Sequence, residues 1–436
     1  MRAFTFILIG AAVATTPTLA AESPWTLTSA LAEARAHSPE ATMAAARIER
    51  AQAFIDQANA GRLPQLSLRA GYTQTNNPMM AFGSILNQGA FTNTIDFNAP
   101  GQVDNFNLTG TATYALYNGG RTNAAIAGAR AAATASAHDQ ATAFARLDVA
   151  VLRAYFNIRS GREGLAALDA AVTALEASHR IATLRFEAGQ LLKTELLNLD
   201  VQLAQTREQQ LAGRQQVELA ERQFLYLLGR RPTGPVTLAP TDPAITALSA
   251  PADAEPASRP ELDAMAARLD AANENLDASR ADARPSVRAF ASYQLDHGWR
   301  LDGSGDSWMT GLQAEWNLFD GKATAGRIRA ARAQLTEAEA ATRQLELAVQ
   351  LELEQTRLAH DLAVAQLEVT ATLVAQAEEA ATISRARFEA GSLLSAELIG
   401  VETRLTSTRV RRAVAAATER IAVAELRRAA GLPLLP

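Results

Sequence analysis

The chain has 436 residues, 48% of them hydrophobic but only 6% aromatic, with a formal net charge of −5 and no cysteine. The acidic balance lacks the basic face that a nucleic-acid partner requires. The missing cysteines exclude disulfides, thiol chemistry and a lipidated N-terminal cysteine.

Residues 1–21 carry one positive charge (Arg2), an apolar run from Phe4 to Val13, and small residues at Ala20 and Ala21. This pattern predicts a secretory signal peptide, cleaved after Ala20 or Ala21 and too short to span a membrane. No later stretch approaches ~18 consecutive apolar residues, so membrane contact is expected from strands rather than helices.

The first module is expected over 22–229. Trp25 to Ala60 predicts a helix, with Thr28 capping its start and Gly61 with Pro64 stopping it. Leu66, Leu68, Ala70 and Tyr72 then alternate with polar residues, as do Leu108, Gly110, Ala112, Tyr114 and Leu116; these predict a strand pair. After the Gly119–Gly120 turn an unbroken helix of ~100 Å is expected, from Arg121 to Phe186. Within it Leu147, Val151, Ala154, Ile158, Gly161, Leu165, Leu168, Val172 and Leu175 step by four and three alternately. That is coiled-coil spacing, although an ordinary helical bundle also accommodates it. A helix over Leu191–Leu228 (~57 Å) added to the first one (~52 Å) roughly matches the long one. Each module is therefore expected to lay a long helix beside a broken pair.

Residues 230–260 hold seven prolines. They predict a linker lying as an extended belt outside the helical body. The second module follows over 261–436. Val287, Ala289, Ala291 and Tyr293 predict one strand, and Asp302 to Asp306 a polar glycine-rich loop. Alternation from Trp308 to Leu318 predicts the next strand. Trp308 and Trp316 share its apolar face, ~26 Å apart, which fits aromatic girdles at the edges of an outer-membrane band. A sheet on a soluble core would alternate equally well; the signal peptide and the polar opposite face favour a barrel.

The modules are copies. RFEAGQLLKTELLNLDVQLAQTR (Arg185 to Arg207) and RFEAGSLLSAELIGVETRLTSTR (Arg387 to Arg409) align at an offset of 202 positions. Leu116–Ala131 matches Leu318–Ala333 and Gly229 matches Gly431 at the same offset. Pro39–Glu40 matches Pro260–Glu261 at 221, so about 19 residues are extra in the first copy. Gly189 and Gly391 read as helix caps, making two helical hairpin tips.

Four strands cannot close a barrel, since the smallest have about eight, and an open edge in lipid costs several kcal/mol per unpaired group. Several copies must share one barrel, with eight strands as a dimer or twelve as a trimer. No chemistry stands out. The five histidines are scattered, Gly321–Lys322 lacks the rest of a phosphate loop, and neither HExxH, GxGxxG nor GxSxG occurs. No cofactor, metal site or enzymatic activity is expected.

With the signal peptide, the YNGG and FDGK turns and both RFEAG tips, the chain resembles the TolC family of outer-membrane channel proteins over essentially all of 22–436. The stretch NNPMMAFGSILNQGAFT (Asn76 to Thr92) is similar to a loop in one branch of that family. The resemblance implies a mostly α fold with a small β part, assembled as a homotrimer: a twelve-stranded barrel in outer-membrane lipid above a periplasmic α-helical tunnel. It implies the exit duct of a tripartite efflux pump for small toxic compounds, or of a type I secretion system. A periplasmic adaptor and an inner-membrane pump would open it by engaging tips that include Gly189, Gly391, Arg185 and Arg387. The family often places acidic residues six positions after the second tip glycine, here Glu397, with Glu195 its counterpart; a carboxylate ring there would attract cations. This chain departs from the commonest pattern, with Glu in place of Asp, Gly400 where a second acid often lies, and Leu393 where a base sometimes does. A reading of another class is a soluble periplasmic coiled-coil adaptor or scaffold.

Overall fold

The computed structural model describes residues 24–96, 98–251 and 259–435; the predicted signal peptide lies outside them, as does Pro256 of the linker. Two helices of 67 residues dominate, α4 (Arg121–Glu187) and α8 (Ala323–Glu389), each ~100 Å long. Each turns at a tip into a 35-residue helix, α5 (Lys193–Leu227) and α9 (Ser395–Ala429). Beyond the ends of these lie α2 (Pro39–Asn59) and α7 (Pro260–Ala281), so every long helix runs beside a broken pair. The principal packing order across the wall is α5–α4–α9–α8 toward the tips and α2–α4–α7–α8 toward the sheet.

The first helix is broken where one was expected. α1 (Leu27–His37) ends at Ser38, whose hydroxyl accepts from Ala41 N (3.1 Å) and caps α2, with Pro39 in its first turn. Proline lacks the N–H a continuing helix would use, but fits a helix start. Thr26, not Thr28, caps α1, in a reciprocal arrangement with Ser29. Gly229 closes against this break. A β-carbon there would overlap the His37 carbonyl, and the left-handed φ of +72° ends α5.

Four strands form one antiparallel sheet in the order β1 (Gln65–Thr75), β2 (Val103–Tyr117), β3 (Ser286–Gly298) and β4 (Gly303–Glu315). Leu68 pairs with Gly110, Gly110 with Tyr293 and Tyr293 with Trp308, so the alternating apolar positions of all four strands share one face. Arg69, Thr109, Gln294 and Ser307, one position along, share the polar face. The expected loop at Asp302–Asp306 is mostly strand; the turn occupies residues 299–302. Its glycines serve close approach rather than looping. A short helix, α3 (Pro78–Asn87), and Gln88 after it lie across the strand end, and a β-carbon on Gly303 would sit 2.8 Å from Gln88 O. β4 ends one residue before Trp316, whose indole Nε1 donates to Ala283 O (3.2 Å) just past α7.

The main core gathers α1, the middle of α4, the ends of α5 and α9, and the linker. The described part of the linker, up to residue 251, lies along this core. Leu238 pairs with Trp25, Asp242 accepts from Leu27 N (2.5 Å) at the start of α1, and α6 (Pro243–Ala247) leads to Leu248 O, which accepts from Arg420 (3.0 Å). Here α4 departs from a narrow seam. Besides Leu147, Val151 and Ile158, its residues Asp148, Leu152, Tyr155 and Phe156 are buried, because α1, the belt and α9 cover it broadly. Asp148 in that cover is paired with Arg35 (Nε to Oδ1 3.0 Å).

Candidate functional site

Both tips are built identically. The N–H of Gly189 donates to Phe186 O (2.9 Å) and that of Gln190 to Arg185 O (2.7 Å); Gly391 donates to Phe388 O (3.0 Å) and Ser392 to Arg387 O (2.9 Å). Both glycines have a left-handed φ, +71° and +78°. These are the paired bonds of a Schellman motif, which satisfies the last carbonyls of a helix.

The surroundings of the tips differ. Phe388 is 1% exposed, inserted among Val172, Leu175, Leu199 and Leu203 of the first hairpin, whereas its counterpart Phe186 is 38% exposed. The Arg185 guanidinium donates to Phe388 O (3.1 Å) and lies 5.8 Å from the Phe388 ring centroid. Arg387 is exposed. The Glu195 carboxylate accepts from Ser395 N (3.4 Å) at the start of α9, while Glu397 is exposed and its carboxylate has no partner among the described residues. One tip thus grips the other by both helix ends, with a cation on the C-terminal carbonyls of α8 and an anion on the N-terminal amides of α9. Both charges suit the helix dipoles they meet.

A pair that the sequence reading missed lies just above. Glu402 is 2% exposed and receives Nε (2.5 Å) and Nη2 (2.7 Å) of Arg385. Its signal was a charge within an apolar seam, between Leu398 and Leu405. The counterpart position holds Asp200, 2.7 Å from His179.

At the other end, Leu66, Leu68, Tyr72, Tyr293, Trp308 and Leu312 stand exposed on one face of the sheet. Trp308 lies on that face within β4, and Trp316 is exposed beyond the strand end. The polar face carries Arg69, Asn105, Asn107, Arg288 and Asp296, with the Asp296 carboxylate accepting from Asn105 (2.6 Å) and Asn107 (2.9 Å). A second apolar strip is uncovered on α8, at Leu347, Leu351, Leu358, Leu362, Val369 and Leu373. This repeat of eleven residues holds the strip on one side of a nearly straight helix. α8 also includes a stretch apolar enough by composition to cross a bilayer, most of it unburied.

The profile of the outer membrane efflux protein family matches residues 30–230 and 253–432. Among curated proteins no relative matches. Solved structures with the same fold include the outer membrane protein VceC from Vibrio cholerae, 20% identical, covering 94% of this chain and 96% of that one, with a TM-score of 0.75. The CmeC outer membrane channel of Campylobacter jejuni is 14% identical, with coverage of 93% and 85% and a TM-score of 0.77. The open state of the MtrE outer membrane channel of Neisseria gonorrhoeae is 16% identical, with coverage of 94% and 90% and a TM-score of 0.74. The fold is that of a TolC-like channel-tunnel, with its sheet in the outer membrane and its helices in the periplasm. This chain belongs to the outer membrane efflux protein family.

Proposed function

We propose that three copies of the chain form a passive exit duct for small toxic compounds, coupled through a periplasmic adaptor to an inner-membrane pump. The observation that carries this reading is that both edges of the wall are open. The four-stranded sheet leaves β1 and β4 unpaired at its edges, and the helical wall leaves α5 and α8. In lipid an open strand edge is prohibitive, so β1 of one copy must pair with β4 of the next.

The internal repeat supports one way of closing the helical edges. Around a ring the order α5, α4, α9, α8 continues with α5 of the next copy. A shift of 202 positions turns the α4–α9 contact within one chain into an α8–α5 contact between chains. Ala167 and Ala171 are buried on α4; the positions 202 later are Val369 and Leu373, in the uncovered strip of α8. By the same shift, Arg185 on Phe388 O becomes Arg387 on Phe186 O of the next copy, and Glu195 on Ser395 N becomes Glu397 on Lys193 N. All four counterparts are at least partly exposed in the single chain. The closed ring of six tips would form the periplasmic aperture, with an adaptor contacting the glycine turns. Trp308 and Trp316 would mark the membrane band.

The soluble-scaffold reading leaves the apolar sheet face unexplained. Deleting the gene tests the efflux reading directly. Sensitivity to dyes, detergents or antibiotics should rise; unchanged sensitivity with loss of an exported polypeptide would assign the duct to protein secretion instead.

A further inference from the structure

A tube wall has two faces, and at mid-height α1 and the belt occupy one of them, against Leu147, Val151, Tyr155 and Ile158 of α4. Arg146, Ala150, Arg153 and Asn157 lie on the opposite side of that helix, which in the proposed duct would be the lumen side. There they line a concavity of about 830 Å³ with residues of α5, α7, α8 and α9. That is the size of a small-molecule site.

The floor is apolar, with Val149, Ala150, Ala154, Leu345, Ala348 and Val349. The charged groups facing it are Arg146, Arg153, Arg259 and Arg428 against Glu261, Glu352 and Glu425. Most of these are satisfied by one another. Arg259, 3% exposed, bonds Glu261 (3.1 Å) and Glu352 (2.7 Å), Arg428 bonds Glu352, and Arg153 bonds Glu425. Burial opposes ionisation of Glu352, but hydrogen bonds from Arg428 and Arg259 outweigh it and hold its carboxyl below the usual range. The network is therefore ionised and closed. It leaves one cation over: Arg146 is exposed and has no ion-pair partner among the described residues.

We propose that this niche binds amphipathic organic anions in transit, with an apolar body on the Val149–Val349 floor and its acidic group on Arg146. The inference rests on the channel reading, and names a class of compound for a place on its inner wall. A flat aromatic sulfonate fits both requirements: it offers apolar area and an acceptor matching the guanidinium fork. A cation of the same shape meets an uncompensated positive charge.

The test uses the processed full-length protein in planar bilayers, with 2-naphthalenesulfonate added on the barrel side and a naphthyl trimethylammonium salt as its counterpart. The sulfonate should reduce the current in a saturable way and the ammonium should not. Arg146→Glu should weaken the sulfonate block at least tenfold, with Arg146→Gln in between. Equal block of wild type and both variants, or stronger block by the ammonium, would overturn the niche while leaving the channel standing. No conductance in any preparation would refute the channel reading, and the niche with it.

Discussion

Replacing Arg185 with alanine should loosen the closed tip by a calculable amount. The residue donates to Phe388 O at 3.1 Å and places its guanidinium 5.8 Å from the Phe388 ring centroid. A hydrogen bond from a charged donor contributes about 1.5 kcal/mol net. A partly exposed cation over an aromatic face adds ~0.5 kcal/mol. The attraction to the α8 C-terminus, ~0.3 kcal/mol, draws on the same charge and overlaps with both. The sum is about 2 kcal/mol per copy, or ~30-fold in a closed-to-open equilibrium. Single-channel recording in planar bilayers reads this as longer or more frequent high-conductance dwells. Arg185→Lys keeps the charge but loses the fork, and should fall between. A variant with wild-type dwell times and conductance would show that the grip on Phe388 does not hold the aperture.

The remaining predictions concern the hairpins and the ion pairs. Gly189 and Gly229 share a left-handed φ, +71° and +72°, so alanine costs ~1–2 kcal/mol at either. Only at Gly229 does the new β-carbon strike backbone, at His37; thermal denaturation should therefore find Gly229→Ala much the less stable, and equal midpoints would contradict the packing of α5 on the α1–α2 break. Glu195→Gln and Glu397→Gln should each reduce cation preference in bilayers to a similar degree, since Glu195 accepts from Ser395 N and the ring gives Glu397 the equivalent Lys193 N of the next copy; an unchanged preference in either variant would remove that residue from the aperture. Glu352 titrates at 4.5 when unperturbed and lower in the folded protein. Its stabilisation is then complete above the ordinary value and is lost as pH falls through the lowered one. The denaturation midpoint should drop over that acid range, and Glu352→Gln should flatten the drop; an unaltered profile would contradict the assignment.

Much of this architecture is legible in the sequence because the repeat does the aligning. The 202-residue offset places both hairpin turns and both 67-residue helices. Strand faces follow from alternation, which survives in the register of Leu66, Leu68, Ala70 and Tyr72 against β2. What fails is local. Ser38–Pro39 reads as helix interior until one notices that Pro39 matches Pro260, the first residue of α7. Gly303 and Gly305 look like a loop because nothing nearby in sequence announces that α3 and Gln88 will lie across them. The tips are half legible. Periodicity finds Gly189 and Gly391, but identical residues have different neighbours in the single chain, so the burial of Phe388 and the exposure of Phe186 cannot be read from either copy alone.

Cysteine cross-linking tests the shared ring most directly, since the chain contains no cysteine of its own. Lys193→Cys combined with Glu397→Cys, oxidised in intact cells, should give a covalent ladder that ends at three chains. Glu195→Cys with Ser395→Cys should stay within one chain. A monomer that cross-links only internally, or a ladder that runs past three, would contradict a closed ring of three identical copies.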